Sequence, residues 1–110
     1  MNINNKMLSF KMKQIYRITY LVTGKIYIGK LAYESFRYFV SPSKNVVDED
    51  FRKLPIEQQK DYSVRKEILW ESATCTDSEL SVKEIEYIKM YQSNNPSIGY
   101  NRWPKFNENS

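Results

Sequence analysis

The chain contains no histidine, a single cysteine and only three glycines among its 110 residues. The missing imidazole excludes the common zinc sites and every catalytic scheme that depends on histidine, and a lone Cys75 excludes an internal disulfide. No window approaches the roughly 18–20 apolar residues of a membrane span, and the polar N-terminus lacks the apolar core of a secretory signal. We expect one folded cytosolic domain whose acid–base chemistry uses Tyr, Lys, Glu, Asp or Cys.

Positive charge is concentrated in the first part of the chain, although the whole sequence carries only +4. Residues 1–40 hold seven cations and one anion, a net charge of +6, whereas residues 41–110 hold ten cations and twelve anions, a net charge of −2. A basic patch favours partners that carry phosphate, by direct pairing and by counterion release. A nucleic-acid partner and a merely solvated surface are both compatible with this distribution.

Residues 15–30, IYRITYLVTGKIYIGK, have the composition of a β-hairpin. Two runs of β-branched and aromatic residues flank Thr23-Gly24, a dipeptide that favours a turn. A two-residue turn at this point would pair Tyr20 with Tyr27. Any loop of even length places Tyr16 and Tyr27 on one face of the sheet.

The rest of the chain shows weaker periodicity. Residues 31–40 suit a helix, residues 41–61 are predicted to form an irregular insertion loop with a short helix at 55–60, and residues 62–72 suit a third strand, with a helix as the alternative. Thr76 and Glu79 fit a capping box, which predicts a helix from about 77 to 92. The tail after residue 99 is predicted to be extended.

Glu84 is the most informative residue of that last helix. At about 100° per residue it falls among Leu80, Tyr87, Ile88 and Tyr91, whereas Glu86 points away from them. A carboxylate within an apolar stripe is costly to bury unless it is paired or coordinates a metal. A salt bridge to a lysine or to Arg37 and a metal site are therefore the two interpretations.

Five short elements follow one another along the chain: Ile15-Tyr16, Tyr27-Ile28-Gly29, Arg37, Glu84-Ile85-Glu86-Tyr87-Ile88 and Gly99-Tyr100-Asn101. Their order and spacing resemble the GIY-YIG nuclease family across residues 14–103. The resemblance implies that family's small three-stranded antiparallel sheet flanked by helices, an α+β fold that agrees with the elements predicted above. Two departures stand out: Gln14 replaces the first glycine, and Ser41 occupies a position where histidine or tyrosine is frequent in the family.

The resemblance implies cleavage of phosphodiester bonds in DNA with a divalent metal ion, Mg²⁺ or alternatively Mn²⁺. Glu84 would be the metal ligand, and Arg37 would hold the scissile phosphate. Tyr16, preferred over Tyr27, would take the proton from the attacking water. Because a phenol has a pKa near 10, Lys30 would stabilise the phenolate.

The same resemblance places nucleic-acid contacts around the hairpin. Gly29 would allow close approach of the backbone or the substrate, and Asn101 would brace the site by side-chain hydrogen bonds. The residues expected to contact nucleic acid are Arg17, Lys25, Gly29, Lys30, Arg37 and Asn101.

Three units follow from this interpretation: a basic arm at 1–13, a nuclease domain at 14–103 and a tail at 104–110. A second copy of the chain or a specificity-conferring protein is left open as a partner. The alternatives are a related domain that binds nucleic acid or protein without cutting, and a nuclease that acts on RNA. Each proposed site residue also has a purely structural alternative. We expect Trp70 and Trp103 to lie in the core, with base-stacking platforms as the alternative.

Overall fold

Three antiparallel strands form the sheet at the centre of the protein. We describe it from a computed structural model that places residues 12–32 and 41–107. Within those ranges the strands are β1 (Lys13–Tyr20), β2 (Ile26–Leu31) and β3 (Val64–Ser72), in the spatial order β2-β1-β3. Both outer strands run antiparallel to β1. The predicted α+β class with a small three-stranded antiparallel sheet is confirmed.

The β1–β2 hairpin closes through a four-residue loop, 21–24, and not through a two-residue turn. The Tyr20 N–H donates to the Lys25 carbonyl (2.9 Å), and the Gly24 N–H donates back to the Tyr20 carbonyl (2.7 Å). The Leu21 N–H donates to the Ser63 carbonyl (3.0 Å) and is therefore directed away from β2. Gly24 has φ +73°, a backbone conformation that glycine adopts without the steric penalty of a side chain.

The longer loop shifts the strand register by two residues. Ile18 pairs with Tyr27 and Tyr16 pairs with Gly29, so the predicted pairing of Tyr20 with Tyr27 is wrong. The loop still has even length, and paired residues project from the same face of a sheet. The prediction that Tyr16 and Tyr27 share a face is confirmed.

Helix α2 (Asp77–Tyr91) begins at the predicted capping box. The Glu79 N–H donates to Thr76 Oγ1 (3.1 Å), while the Thr76 N–H donates to Glu79 Oε1 (2.8 Å). The helix ends at Tyr91, one residue before the expected end, because Gln92 takes a left-handed conformation with φ 56°. No helix within the described residues is long and apolar enough to cross a membrane.

The segment predicted as an irregular loop contains a helix, α1 (Lys44–Phe51), followed by a short 3-10 helix (Ile56–Gln58). Val47 and Phe51 lie four residues apart on one face of α1 and are both buried. The acidic run 48–50 between them made this segment look like a solvated loop. The helix predicted for residues 31–40 is wrong at its first residue, because Leu31 belongs to β2, and residues 33–40 lie outside the described parts of the chain.

Each face of the sheet carries its own apolar cluster. The first contains the side chains that share a face with Tyr16 and packs against α1; the second packs against α2. The buried members of the first cluster are Tyr16, Ile18, Tyr20, Val47, Phe51 and Tyr100, and those of the second are Ile15, Ile28, Leu80 and Ile88.

Residues 98–101 run along the outer edge of β2. The Ile26 N–H donates to the Ile98 carbonyl (3.1 Å), and the Tyr100 N–H donates to the Ile26 carbonyl (2.8 Å). Gly99 and Ile26 form a parallel bridge. Beyond this point Trp103 is 74% exposed, so its predicted place in the core is wrong, whereas Trp70 packs against the second cluster as expected.

Candidate active site

Tyr16 and Gly29 form a close pair at the middle of the hairpin. Tyr16 is completely buried and lies directly across from Gly29 in the strand register. A Cβ built on Gly29 would overlap the Cζ and hydroxyl oxygen of Tyr16. The absence of a side chain at position 29 therefore makes room for the phenol ring, a role that the sequence analysis did not foresee beside the expected approach of the backbone or the substrate.

Glu84 lies on the side of α2 that faces the sheet. Its neighbours one turn away in each direction, Leu80 and Ile88, are both buried, and the carboxyl is half-buried. Burial raises the pKa of Glu84, and the nearby Lys30 ammonium opposes that shift. Among the described residues, no cation lies within ion-pair distance of Glu84. The carboxylate is thus partly desolvated and has no direct salt bridge there.

Tyr27 is close enough to Glu84 to be affected by its charge. Burial raises the pKa of the Tyr27 phenol, and the Glu84 carboxylate raises it further. Tyr27 therefore keeps its proton at neutral pH.

Lys30 leaves β2 on the opposite face from Tyr16, because it directly follows Gly29 and successive side chains alternate. Its ammonium donates to Ser81 Oγ (2.7 Å) on α2 and its charge acts on Glu84. This arrangement suits charge compensation at the carboxyl better than the expected stabilisation of a Tyr16 phenolate. Sequence reasoning missed Ser81, although it lies three residues before Glu84 and so on the same helix face.

Asn101 binds the backbone of the strand that carries the site. Its Oδ1 accepts from the Ile28 N–H (2.8 Å), and its Nδ2 donates to the Ile28 carbonyl (2.8 Å). The Asn101 N–H donates to the Ser93 carbonyl (3.0 Å). The side-chain amide thus takes the place of a neighbouring strand next to Tyr27 and Gly29. This is a bracing role of the expected kind, and it uses both ends of the amide.

Arg17 is held by an acidic neighbour. Its Nε (2.8 Å) and Nη2 (2.6 Å) both donate to Glu67 Oε1. Its guanidinium also lies over the Tyr91 ring, 5.1 Å from the centroid. The group expected to contact nucleic acid is thus occupied within the protein.

Lys25 is also paired. Its ammonium donates to Asp50 Oδ1 (3.0 Å), and the Tyr100 hydroxyl donates to the other oxygen of that carboxylate (2.8 Å). Sequence reasoning missed Asp50 because it placed α1 in a loop. Arg37, the expected phosphate ligand, lies outside the described residues, and Ser41 is exposed.

Glu84 offers one carboxylate to a metal ion. Within residues 12–32 and 41–107, no group of three or more His, Cys, Asp or Glu side chains is arranged to hold an ion. A single carboxylate oxygen donor does not make a zinc or calcium cage. It does fit hydrated Mg²⁺, which keeps several waters and relies on one or two carboxylates together with substrate phosphate.

No family model matches this chain, and neither a curated protein nor a solved structure is significantly similar to it.

Proposed function

We propose that the chain is a metal-dependent endonuclease of GIY-YIG type that hydrolyses phosphodiester bonds in DNA in the cytosol. The single observation that carries this is the environment of Glu84. A half-buried carboxyl lies on the apolar face of α2, without an ion pair among the described residues, and its charge acts on Tyr27. Partial burial of a charged carboxyl without an ion pair costs free energy, which a bound cation would offset.

Tyr16, as its phenolate, is proposed to accept a proton of the attacking water, whose oxygen bonds to phosphorus. The bond to the leaving sugar oxygen breaks, and that oxygen takes a proton from solvent. Tyr27, which keeps its proton, orients the water or a phosphate oxygen by donating a hydrogen bond. Arg37 is proposed to hold the scissile phosphate. A bound Mg²⁺, or Mn²⁺ in its place, would stabilise the charge that develops on the phosphate oxygens.

Glu84 would hold that ion, and Lys30 would limit the pKa rise that burial causes in the carboxyl. Metal binding needs the deprotonated carboxylate. Because burial raises the pKa of Glu84, activity should fall as the pH drops through this raised value, at a higher pH than for a solvated glutamate.

The second candidate is a domain that binds nucleic acid without cutting. It is favoured by the raised pKa of Tyr27 and by the complete burial of Tyr16, since burial opposes formation of a phenolate. Cleavage of RNA is a variant of the first proposal, because both substrates present the same phosphodiester group.

The test is cleavage of supercoiled plasmid and of a matched RNA in Mg²⁺, Mn²⁺ or EDTA, with Glu84→Gln and Glu86→Gln as a pair. Glu86 is the matched control because it lies on the same helix and is exposed, with Lys83 at 3.2 Å. We expect metal-dependent cutting of DNA that Glu84→Gln abolishes and Glu86→Gln retains. Folded protein that binds but cuts neither substrate would support the second candidate, and equal loss in both variants would refute the role of Glu84.

A further inference from the structure

The last part of the chain presents cations that no described acidic group neutralises. Residues 87–107 contain Lys89, Arg102 and Lys105 and no aspartate or glutamate. Within the described residues none of these three cations makes an ion pair. Unpaired cations on a surface attract phosphate by direct pairing and by release of counterions.

Trp103 lies in the middle of this basic segment and is 74% exposed. Its two chain neighbours, Arg102 and Pro104, each line one of two adjacent grooves that share Lys105 and Phe106, whereas the Trp103 side chain lines neither groove. The larger groove has a volume of about 450 Å³, within the range of small-molecule sites. We call Lys89, Arg102, Trp103 and Lys105 the C-terminal surface.

The backbone on both sides of Trp103 is fixed to the fold. On one side Asn101 forms its two side-chain bonds to Ile28. On the other side the Pro104 carbonyl accepts from the Nδ2 of the buried Asn94 (2.6 Å). An exposed indole on an anchored backbone loses little conformational entropy when it binds a flat partner.

The C-terminal surface also begins beside the candidate active site. Trp103 follows Asn101 by two residues, so their Cα atoms are at most about 7 Å apart. Asn101 binds the backbone of Ile28, between Tyr27 and Gly29. A nucleotide held at Trp103 would therefore lie near the strand that carries Tyr27 and Gly29.

We infer that the C-terminal surface holds unpaired nucleotides of the substrate strand, with a base stacked on Trp103 and phosphates at Arg102, Lys105 and Lys89. Aromatic side chains stack on any exposed base, and cations follow the sugar–phosphate backbone. Bases within a duplex are covered by their neighbours, so this surface selects a single-stranded or locally unpaired region. The inference rests on the proposed function, because it names the substrate class of that nuclease.

The test is direct binding in EDTA, where cleavage plays no part. Fluorescence anisotropy would measure the binding of Trp103→Ala, Trp103→Phe and the wild type to three labelled probes. The probes are a single-stranded oligonucleotide, the blunt duplex of the same sequence and an abasic single strand. We expect Trp103→Ala to weaken single-strand binding by roughly 5- to 100-fold through lost stacking. Trp103→Phe should restore most of it, and duplex and abasic-strand binding should change little.

Intrinsic fluorescence supplies a matched pair of variants, because the chain has two tryptophans. In Trp70→Phe the single strand should quench the fluorescence of the remaining Trp103. In Trp103→Phe it should leave the fluorescence of the remaining Trp70 unchanged. Single-strand affinity unchanged in Trp103→Ala, with the variant folded, would overturn the inference. So would a concentration-dependent blue shift of Trp103 without DNA, which would assign the surface to a protein partner or a second copy. Failure of this inference and failure of the nuclease proposal are distinguishable, since binding is measured in EDTA and cleavage is measured separately.

Discussion

Arg17 and Lys25 of the hairpin and the cations of the C-terminal surface have opposite surroundings. Arg17 and Lys25 are neutralised by Glu67 and Asp50, at 2.6 Å and 3.0 Å, whereas the C-terminal cations have no such partners among the described residues. Yet the sequence places most of its excess positive charge in the first 40 residues. Local excess of charge therefore locates cations without showing which of them are free to bind a ligand.

The same contrast extends to the apolar groups. In the hairpin Tyr16 is buried against Gly29, while in the C-terminal surface Trp103 is open to solvent. We expect substitutions in the hairpin to change the free energy of unfolding. Substitutions at the C-terminal surface should change binding instead.

The largest expected effect is that of Gly29→Ala. The new methyl group would overlap the Tyr16 ring, and overpacking of this kind costs about 1–3 kcal/mol; the full burial of the ring favours the upper end. Gly24→Ala is the control, since no atom lies near its Cβ position and only its φ of +73° opposes alanine, at about 1 kcal/mol. Urea unfolding measures both, and a smaller loss for Gly29→Ala than for Gly24→Ala would contradict the packing described here.

Arg17→Ala and Arg102→Ala compare the two kinds of arginine directly. We expect Arg17→Ala to lower the free energy of unfolding by about 1–2 kcal/mol, because it removes a charged hydrogen-bond pair and the contact with Tyr91. Arg102→Ala should stay within about 0.5 kcal/mol of the wild type. Equal losses in chemical denaturation would show that the paired and unpaired cations do not differ.

The same two variants should reverse their order in nucleic-acid binding. The slope of log K against log salt is negative and should become shallower by about 1 in Arg102→Ala, as for the loss of one phosphate contact. It should stay unchanged in Arg17→Ala. Single-stranded oligonucleotide titrations at several salt concentrations give both slopes. A shallower slope in Arg17→Ala alone would place the nucleic-acid-binding surface on the hairpin instead.

The smallest expected effect concerns the pH dependence at Glu84. Because the folded state raises the pKa of Glu84 above its unfolded value, the native state binds more protons between the two values, and stability falls as pH rises through that window. Glu84→Gln removes this loss of stability. Between pH 4 and 7 its free energy of unfolding should therefore rise relative to that of the wild type by less than about 1 kcal/mol, since the carboxyl is only half-buried. Unfolding in EDTA at both pH values measures the gain, and Glu86→Gln should show none.

The sheet and α2 could be predicted because their signals are local. β-branched runs around a turn predict the hairpin, and Thr76 with Glu79 fixes the start of α2. The faces of Tyr16 and Glu84 then follow from the period of two in a strand and 3.6 in a helix. These signals require no knowledge of distant residues.

The misplaced features all depend on contacts between distant segments. The register differs because Leu21 bonds to Ser63, α1 is stabilised by burial of Phe51 in the core, and Trp103 is exposed because Asn94 holds the next residue in place. The pairing of Arg17 with Glu67 joins residues 50 positions apart. Nothing in the local sequence reports these partners.

The bonding of residues 98–101 along β2 bears on solubility. A free strand edge presents unpaired N–H and carbonyl groups that recruit strands from other molecules. Backbone bonds at Ile26 and the Asn101 amide at Ile28 occupy those groups over much of β2. Shortening the chain to end before residue 98 would uncover this edge, so such a fragment should aggregate during expression even though all three strands and both helices are still encoded.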